Sequence, residues 1–119
     1  MPAPSHLARG AALLPIAPRD YLILFALADG PLHGHGLLKS LEAAVGGVPF
    51  DPANLYRSLR KLERDTFVAE ARTGSNDPAG APRRTYQLTR LGRTALAAEA
   101  ARLARLTDAA RHKKLLPAR

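Results

Sequence analysis

From Tyr21 to Ala28 every residue is apolar. Pro18 and Asp20 precede the run and Asp29-Gly30-Pro31 stops it, which favours a helix buried almost all round over a buried strand. Leu37, Leu38, Leu41, Ala44 and Val45 then recur at helical spacing and predict a second helix from about His33 to Val45, ended by Gly46-Gly47. The third helix has the strongest signals. Asp51 is a candidate N-cap, Pro52 takes the first helical position, and Leu55, Leu59 and Leu62 repeat at i, i+4 and i+7, predicting a helix over Pro52–Asp65. Two extended runs follow, Phe67 to Arg72 and Arg83 to Leu88. They flank Thr73–Pro82, whose Gly, Ser, Asn, Asp and Pro content predicts a hairpin with a long flexible tip. Thr89 can cap a last helix that runs through Leu91, Leu96, Leu103 and Leu106 to near Lys114. Residues 1–17 contain Pro2, Pro4 and Pro15 and hold no sustained period, so they read as a mobile arm or irregular lead-in. The order helix, helix, helix, strand, strand, helix predicts a mainly α fold with a small β-hairpin. It divides into an arm (1–15), a unit of three helices and a hairpin (16–88) and a C-terminal helix with its tail (89–119).

A helical projection of the third helix changes this from a fold to a candidate surface. At about 100° per residue, Leu55, Leu59 and Leu62 lie within about 60° of one another. Arg57, Arg60, Lys61 and Arg64 fall between about 140° and 240° from Leu55, opposite that stripe, and Glu63 lies to the side near Tyr56. A helix that buries leucines and turns cations outward fits the major groove of DNA, where an arginine fork grips a guanine edge or a phosphate. An ordinary surface helix with a solvated basic face is the plainer alternative. The preceding short helix and glycine-bearing turn, and the arginines Arg72, Arg83 and Arg84 at the base of the hairpin, favour the DNA reading.

The charge balance points the same way. With 18 Lys+Arg against 10 Asp+Glu the chain carries a formal +8. Residues 1–50 are neutral, residues 51–90 hold eight basic against five acidic side chains, and residues 91–119 hold seven against two. An asymmetry of this kind implies a contact surface for a polyanion rather than general solubility tuning.

Three motifs resemble those of the PadR family of bacterial transcription regulators. They are Leu32-His33-Gly34-His35-Gly36-Leu37-Leu38, then Asn54-Leu55-Tyr56-Arg57-Ser58-Leu59-Arg60-Lys61-Leu62-Glu63, then Arg83-Arg84-Thr85-Tyr86-Gln87-Leu88-Thr89-Arg90-Leu91-Gly92-Arg93. The resemblance runs from about Ile16 to Arg111. It implies a winged helix-turn-helix, a homodimer made by a single long C-terminal helix, and repression relieved by a small molecule. The chain departs from the family at His35 (usually tyrosine), Ala53-Asn54 (usually Gly-Thr), Thr66 (usually glycine) and Thr85-Tyr86 (usually an aromatic pair). In some relatives a pore between the dimer's helices takes flat aromatic compounds through tryptophan; this chain has no tryptophan, so that site is not carried over.

The expected interface follows. Arg57, with Asn54 and Ser58, reads bases, Asn54 on an adenine edge. Tyr56, Arg60, Lys61, Arg64, Arg72, Arg83 and Arg84 contact phosphate or sugar. Leu96, Ala100, Leu103, Leu106 and Ala110 form a heptad-like seam for a second copy, flanked by Arg102, Arg105 and Arg111. The partners expected are double-stranded DNA, a homodimer mate and a small-molecule effector, with no cofactor and no metal, in the cytoplasm. A winged helix serving as a protein-interaction or ligand-binding module is the second reading.

Other chemistry finds little support. Without cysteine, thiolate metal sites and disulfides are excluded. His33 and His35 lack a cysteine or nearby carboxylate to complete a metal site and are expected to pack or cap. Lys39-Ser40 follows Leu38 rather than a glycine, which rules out a phosphate loop. Ser5, Ser40, Ser58 and Ser75 lack the context of a nucleophile, so no enzyme is expected. The eight-residue apolar run is far shorter than the ~20 residues a membrane span needs. The Ala11–Leu14 stretch, cut by Pro15, is too short for a secretory signal. The alanine-rich C-terminal helix is a poor membrane-surface anchor.

Overall fold

The computed structural model describes residues 15–44, 46, 50–76 and 82–118, with main chain alone for 72–76 and 82–83. Four helices and a three-stranded sheet are found among these residues: α1 (Pro18–Leu27), β1 (Leu32–His33), α2 (Gly34–Ala44), α3 (Pro52–Arg64), β2 (Val68–Asn76), β3 (Pro82–Leu88) and α4 (Arg90–His112). Residues 1–14 of the expected arm (1–15) lie outside the described residues, as does the hairpin tip at 77–81.

Each boundary has a local cause. Pro18 opens α1, and Gly30, at φ 143, closes the turn after it. His33 caps α2 by accepting the Gly36 N–H on Nδ1 at 3.2 Å, and Gly46, at φ 77, leaves the helix by a left-handed turn. Asp51 caps α3 by accepting from Ala53 N at 2.9 Å. Thr89 caps α4 by accepting from Gly92 N at 2.9 Å. These caps stand where the sequence places them, and α2 begins at Gly34, one residue after the expected start. Leu32 and His33 form a short strand paired to Tyr86 and Thr85 of β3, so the sheet order is β1-β3-β2 and the hairpin gains a third, antiparallel strand. A two-residue strand has no periodicity to betray it.

The core gathers Ile23, Leu24 and Leu27 of α1, Leu37 and Leu41 of α2, and Leu55, Leu59 and Leu62 of α3. Phe67, Val68 and Tyr86 of the sheet region, Leu91, Ala95 and Leu96 of α4, and Ile16 just before α1 complete it. The expectation that α1 is buried all round needs correction. Only one side packs inward, Tyr21 and Leu22 are half-buried, and Phe25 is 57% exposed while stacked on Tyr21 at 6.1 Å. So small a domain has too few elements to cover both sides of a helix.

The α3–β2 turn is the tightest joint in the fold. Thr66 N–H donates to Glu63 O at 3.0 Å and Phe67 N–H to Leu62 O at 2.9 Å, the pair of bonds that makes a Schellman ending, and both Leu62 and Phe67 are buried. That ending demands a left-handed residue, and Thr66 supplies it at φ 63, where a β-branched side chain is strained. The turn then docks on the start of α4. Phe67 O accepts from Thr89 N at 3.1 Å, and Thr66 O accepts from the Thr89 hydroxyl at 2.5 Å. The approach is so close that a Cβ on Gly92 would lie 1.9 Å from Phe67 O. Replacing Thr66 by glycine is expected to raise stability by about 1 kcal/mol. Chemical denaturation measures it, and an unchanged or lower midpoint contradicts the strain.

Candidate nucleic-acid interface

Burial of the leucine stripe orients α3. Leu55, Leu59 and Leu62 are each at most 2% exposed, while Arg57, Arg60, Lys61 and Arg64 are exposed. The four cations do share the outward side, but they differ in what they touch. Lys61 Nζ lies 3.0 Å from Asp20 Oδ2, and the Asp20 side chain is only 7% exposed. Asp20 stands in the first turn of α1, where a carboxylate favours the helix dipole, and it also ties α1 to α3. Lys61 therefore brings a charge already offset by a carboxylate. Arg60 and Arg64 make no hydrogen bond or ion pair with the described residues. Arg57 Nη1 donates to Asn54 Oδ1 at 3.0 Å, so these two are brought together.

Ser58 is a correction. It is 8% exposed and sits beside the leucines, about 60° from Leu55 on the projection, so it faces the core rather than a base edge. Tyr56 is half in this surface and half in a joint. It is 43% exposed, yet its hydroxyl covers Gly34, where an added Cβ would come within 2.5 Å. Gly34 opens α2, so the α2–α3 pair of the helix-turn-helix closes on a tyrosine laid over a bare backbone.

The wing is less basic than its sequence. Arg84 is 73% exposed but lies 3.6 Å from Glu70 Oε1, a side chain on the neighbouring strand. Arg72 is Arg84's partner in the strand register, and the side chains of Arg72 and Arg83 lie outside the described residues. Between the strands, burial and the nearby Glu63 and Glu70 push the Tyr86 hydroxyl pKa up, so it stays protonated.

The α4 seam also divides. Leu96 is 8% exposed and belongs to the chain's own core, which removes it from the seam. Ala100 is exposed, Leu103 and Ala110 are half-buried, and Leu106 is 54% exposed. The division falls at Glu99, a carboxylate 1% exposed that accepts from Ile16 N–H and from Arg102 Nε. The Arg102 bond, ahead of the Ile16 bond, holds the Glu99 pKa below its usual value against the opposing effect of burial. Beside this lock a groove of about 530 Å³ opens, lined by Pro15–Pro18, Tyr21, Leu22, Glu99, Arg102 and Leu103. Neither the lock nor the groove announces itself in sequence, because Glu99 sits in an alanine run and its partner is a main-chain N–H 83 residues away. No helix among the described residues is long and apolar enough to cross a membrane.

Comparison with known proteins places this arrangement. The profile of the transcriptional regulator PadR-like family matches residues 23–98. The chain belongs to that family. Its fold is the family's winged-helix DNA-binding fold, with α2 and α3 as the helix-turn-helix and β2–β3 as the wing. A PadR family transcriptional regulator from Eggerthella lenta superposes with a TM-score of 0.63 at 30% identity, covering 85% of this chain and 86% of that one. Bacillus subtilis PadR, solved in complex with operator DNA, superposes with a TM-score of 0.58 at 20% identity over 87% of this chain and 49% of that one. An uncharacterized 37.1 kDa protein in transposon Tn4556 of Streptomyces fradiae is 37% identical over 86 residues, 72% of this chain and 23% of that protein. This PadR-like chain thus spans about a quarter of that relative's length.

Two expectations follow from the pairs. Lys61→Ala leaves a nearly buried carboxylate unpaired and is expected to cost about 1 kcal/mol or more of stability, whereas Arg60→Ala and Arg64→Ala leave it within about 0.5 kcal/mol. Equal denaturation midpoints for all three variants contradict the Asp20 tie. Because folding lowers the Glu99 pKa, its stabilisation is present above the unfolded carboxyl pKa and is lost as pH falls through the folded one. Glu99→Gln is therefore expected to be less stable at neutral pH and to flatten the acid limb of the stability curve. A variant whose acid limb matches the wild type contradicts that role.

Proposed function

We propose that this chain is a sequence-specific repressor that binds a palindromic operator as a homodimer. The observation that carries the proposal is the amphipathicity of α3. Its leucines are fixed in the core, and Arg57, Arg60 and Arg64 stand exposed on the opposite side. The family membership supports it, as does the operator complex of Bacillus subtilis PadR. Arg57 lies near the N-terminal half of the helix, which in a helix-turn-helix meets base edges, and takes the base-reading role. Arg60, Arg64 and Arg84 contact phosphate, with Tyr56 and Lys61 beside them and Arg72 and Arg83 further along the wing.

The second copy packs on the far half of α4. Leu103, Leu106 and Ala110 run along it, and Leu115 and Leu116, 73% and 43% exposed, follow the end of the helix. The Tyr21–Leu22 edge of α1 lies beside Leu103 in the groove, and the exposed Phe25 stacks on Tyr21. Apolar area of this extent on so small a chain favours a covered interface. Two α3 helices then meet successive major grooves about 34 Å apart, and occupancy of a promoter makes repression the regulatory sign. The groove beside Glu99 has the volume of a small-molecule site and supports relief by an effector.

Selection from random duplex DNA tests the function and is expected to return a palindrome. On that site Arg57→Ala costs ~1–3 kcal/mol and relaxes discrimination, while Arg84→Ala weakens all sequences alike. Equal loss of discrimination in both contradicts the assignment. Leu103→Asp is expected to give monomers with weak DNA binding; a variant that light scattering shows to be dimeric contradicts the seam.

A further inference from the structure

The cations of this chain are held in different ways. Lys61, Arg84, Arg102 and Arg111 each face a carboxylate, from Asp20, Glu70, Glu99 and Asp108 respectively. Arg57 is held instead by a neutral amide, through the 3.0 Å bond from Nη1 to Asn54 Oδ1, so its charge stays uncompensated by that contact. Asn54 is half-buried and Arg57 exposed, which makes the amide the anchored end and the guanidinium the presented one. Both sit in the first two turns of α3, the part of a recognition helix that enters the groove.

The geometry of the bond decides what remains available. A guanidinium donates in parallel from Nε and Nη2 along one edge. The Asn54 contact uses Nη1 and leaves that edge whole. Two parallel donors match O6 and N7 of a guanine in the major groove. Reading an adenine, by contrast, takes both the oxygen and the nitrogen of an asparagine amide at once, and here the oxygen is already engaged. An arginine also carries many rotatable bonds, and a hydrogen bond made within the helix removes part of the ordering cost before any base arrives.

We infer that Asn54 is a positioning residue for Arg57, and that the two act as a single guanine-reading unit. This replaces the sequence expectation of Asn54 on an adenine edge, and it rests on the proposed DNA-binding function.

The test uses the full chain and the duplex with the highest affinity in the selection above, with each guanine in turn replaced by 7-deazaguanine, which lacks the N7 acceptor. The wild type is expected to lose affinity on the order of tenfold at one guanine position in each half-site. Asn54→Ala and Arg57→Ala each abolish that sensitivity, and the double variant loses no more than Arg57→Ala alone, as coupled residues do. Asn54→Asp keeps an acceptor oxygen and retains the sensitivity, at a lower overall affinity because its carboxylate offsets the Arg57 charge, and a merely structural role for Asn54 does not explain that retention. The inference is overturned if Asn54→Ala keeps the wild-type response to 7-deazaguanine, or if it loses discrimination at an adenine instead. A wild-type chain that selects no duplex sequence at all overturns the DNA-binding function itself, an outcome seen before any variant is compared.

Discussion

Burial of Leu55, Leu59 and Leu62 decides which way every other side chain of α3 points. Three leucines removed from water contribute roughly 1.5–3 kcal/mol each, a large share of what holds so small a domain together. The helix cannot rotate about its axis without exposing them. The exposed arginines are therefore aimed by the core, at no separate cost to the surface. Ser58 shows the same rule from the other side: near the apolar stripe, it goes inward with the stripe.

Around that helix, α1 acts as the common support. Its inner side supplies Ile23, Leu24 and Leu27 to the core, and its Asp20 holds Lys61 of α3. Its C-terminal end receives a bond from Arg93 of α4 to Ala28 O at 3.1 Å. The residues just before it are pinned to α4 through Ile16 and Glu99. A groove lined by α1 and α4 thus lies one helix away from the cations of α3.

What the sequence revealed tracks how local each cause is. Caps at Asp51 and Thr89, the proline starts and the leucine period are written within a few residues, and the structure has them where they were expected. At Thr66 the only sign of a positive φ in the sequence was the glycine that the family usually has there. Long-range pairing was not. The strand Leu32–His33 exists only because β3 lies beside it, Lys61 meets a carboxylate 41 residues away, and Leu96 falls into the core rather than the seam. At the interface, the four-cation arc was visible in projection, but its division into free and compensated charges required three dimensions.

The salt dependence of duplex binding tests the central claim most directly, because counterion release counts the cations that meet phosphate. The account predicts a steep linear fall of log affinity with log salt. Arg60→Ala and Arg64→Ala each remove one cation from each of the two copies and flatten its slope by about 1.8, and Lys61→Ala, whose charge Asp20 already offsets, flattens it by less. A slope near zero in the wild type, or one that the two arginine variants leave unchanged, contradicts an outward cationic side of α3 engaged with DNA.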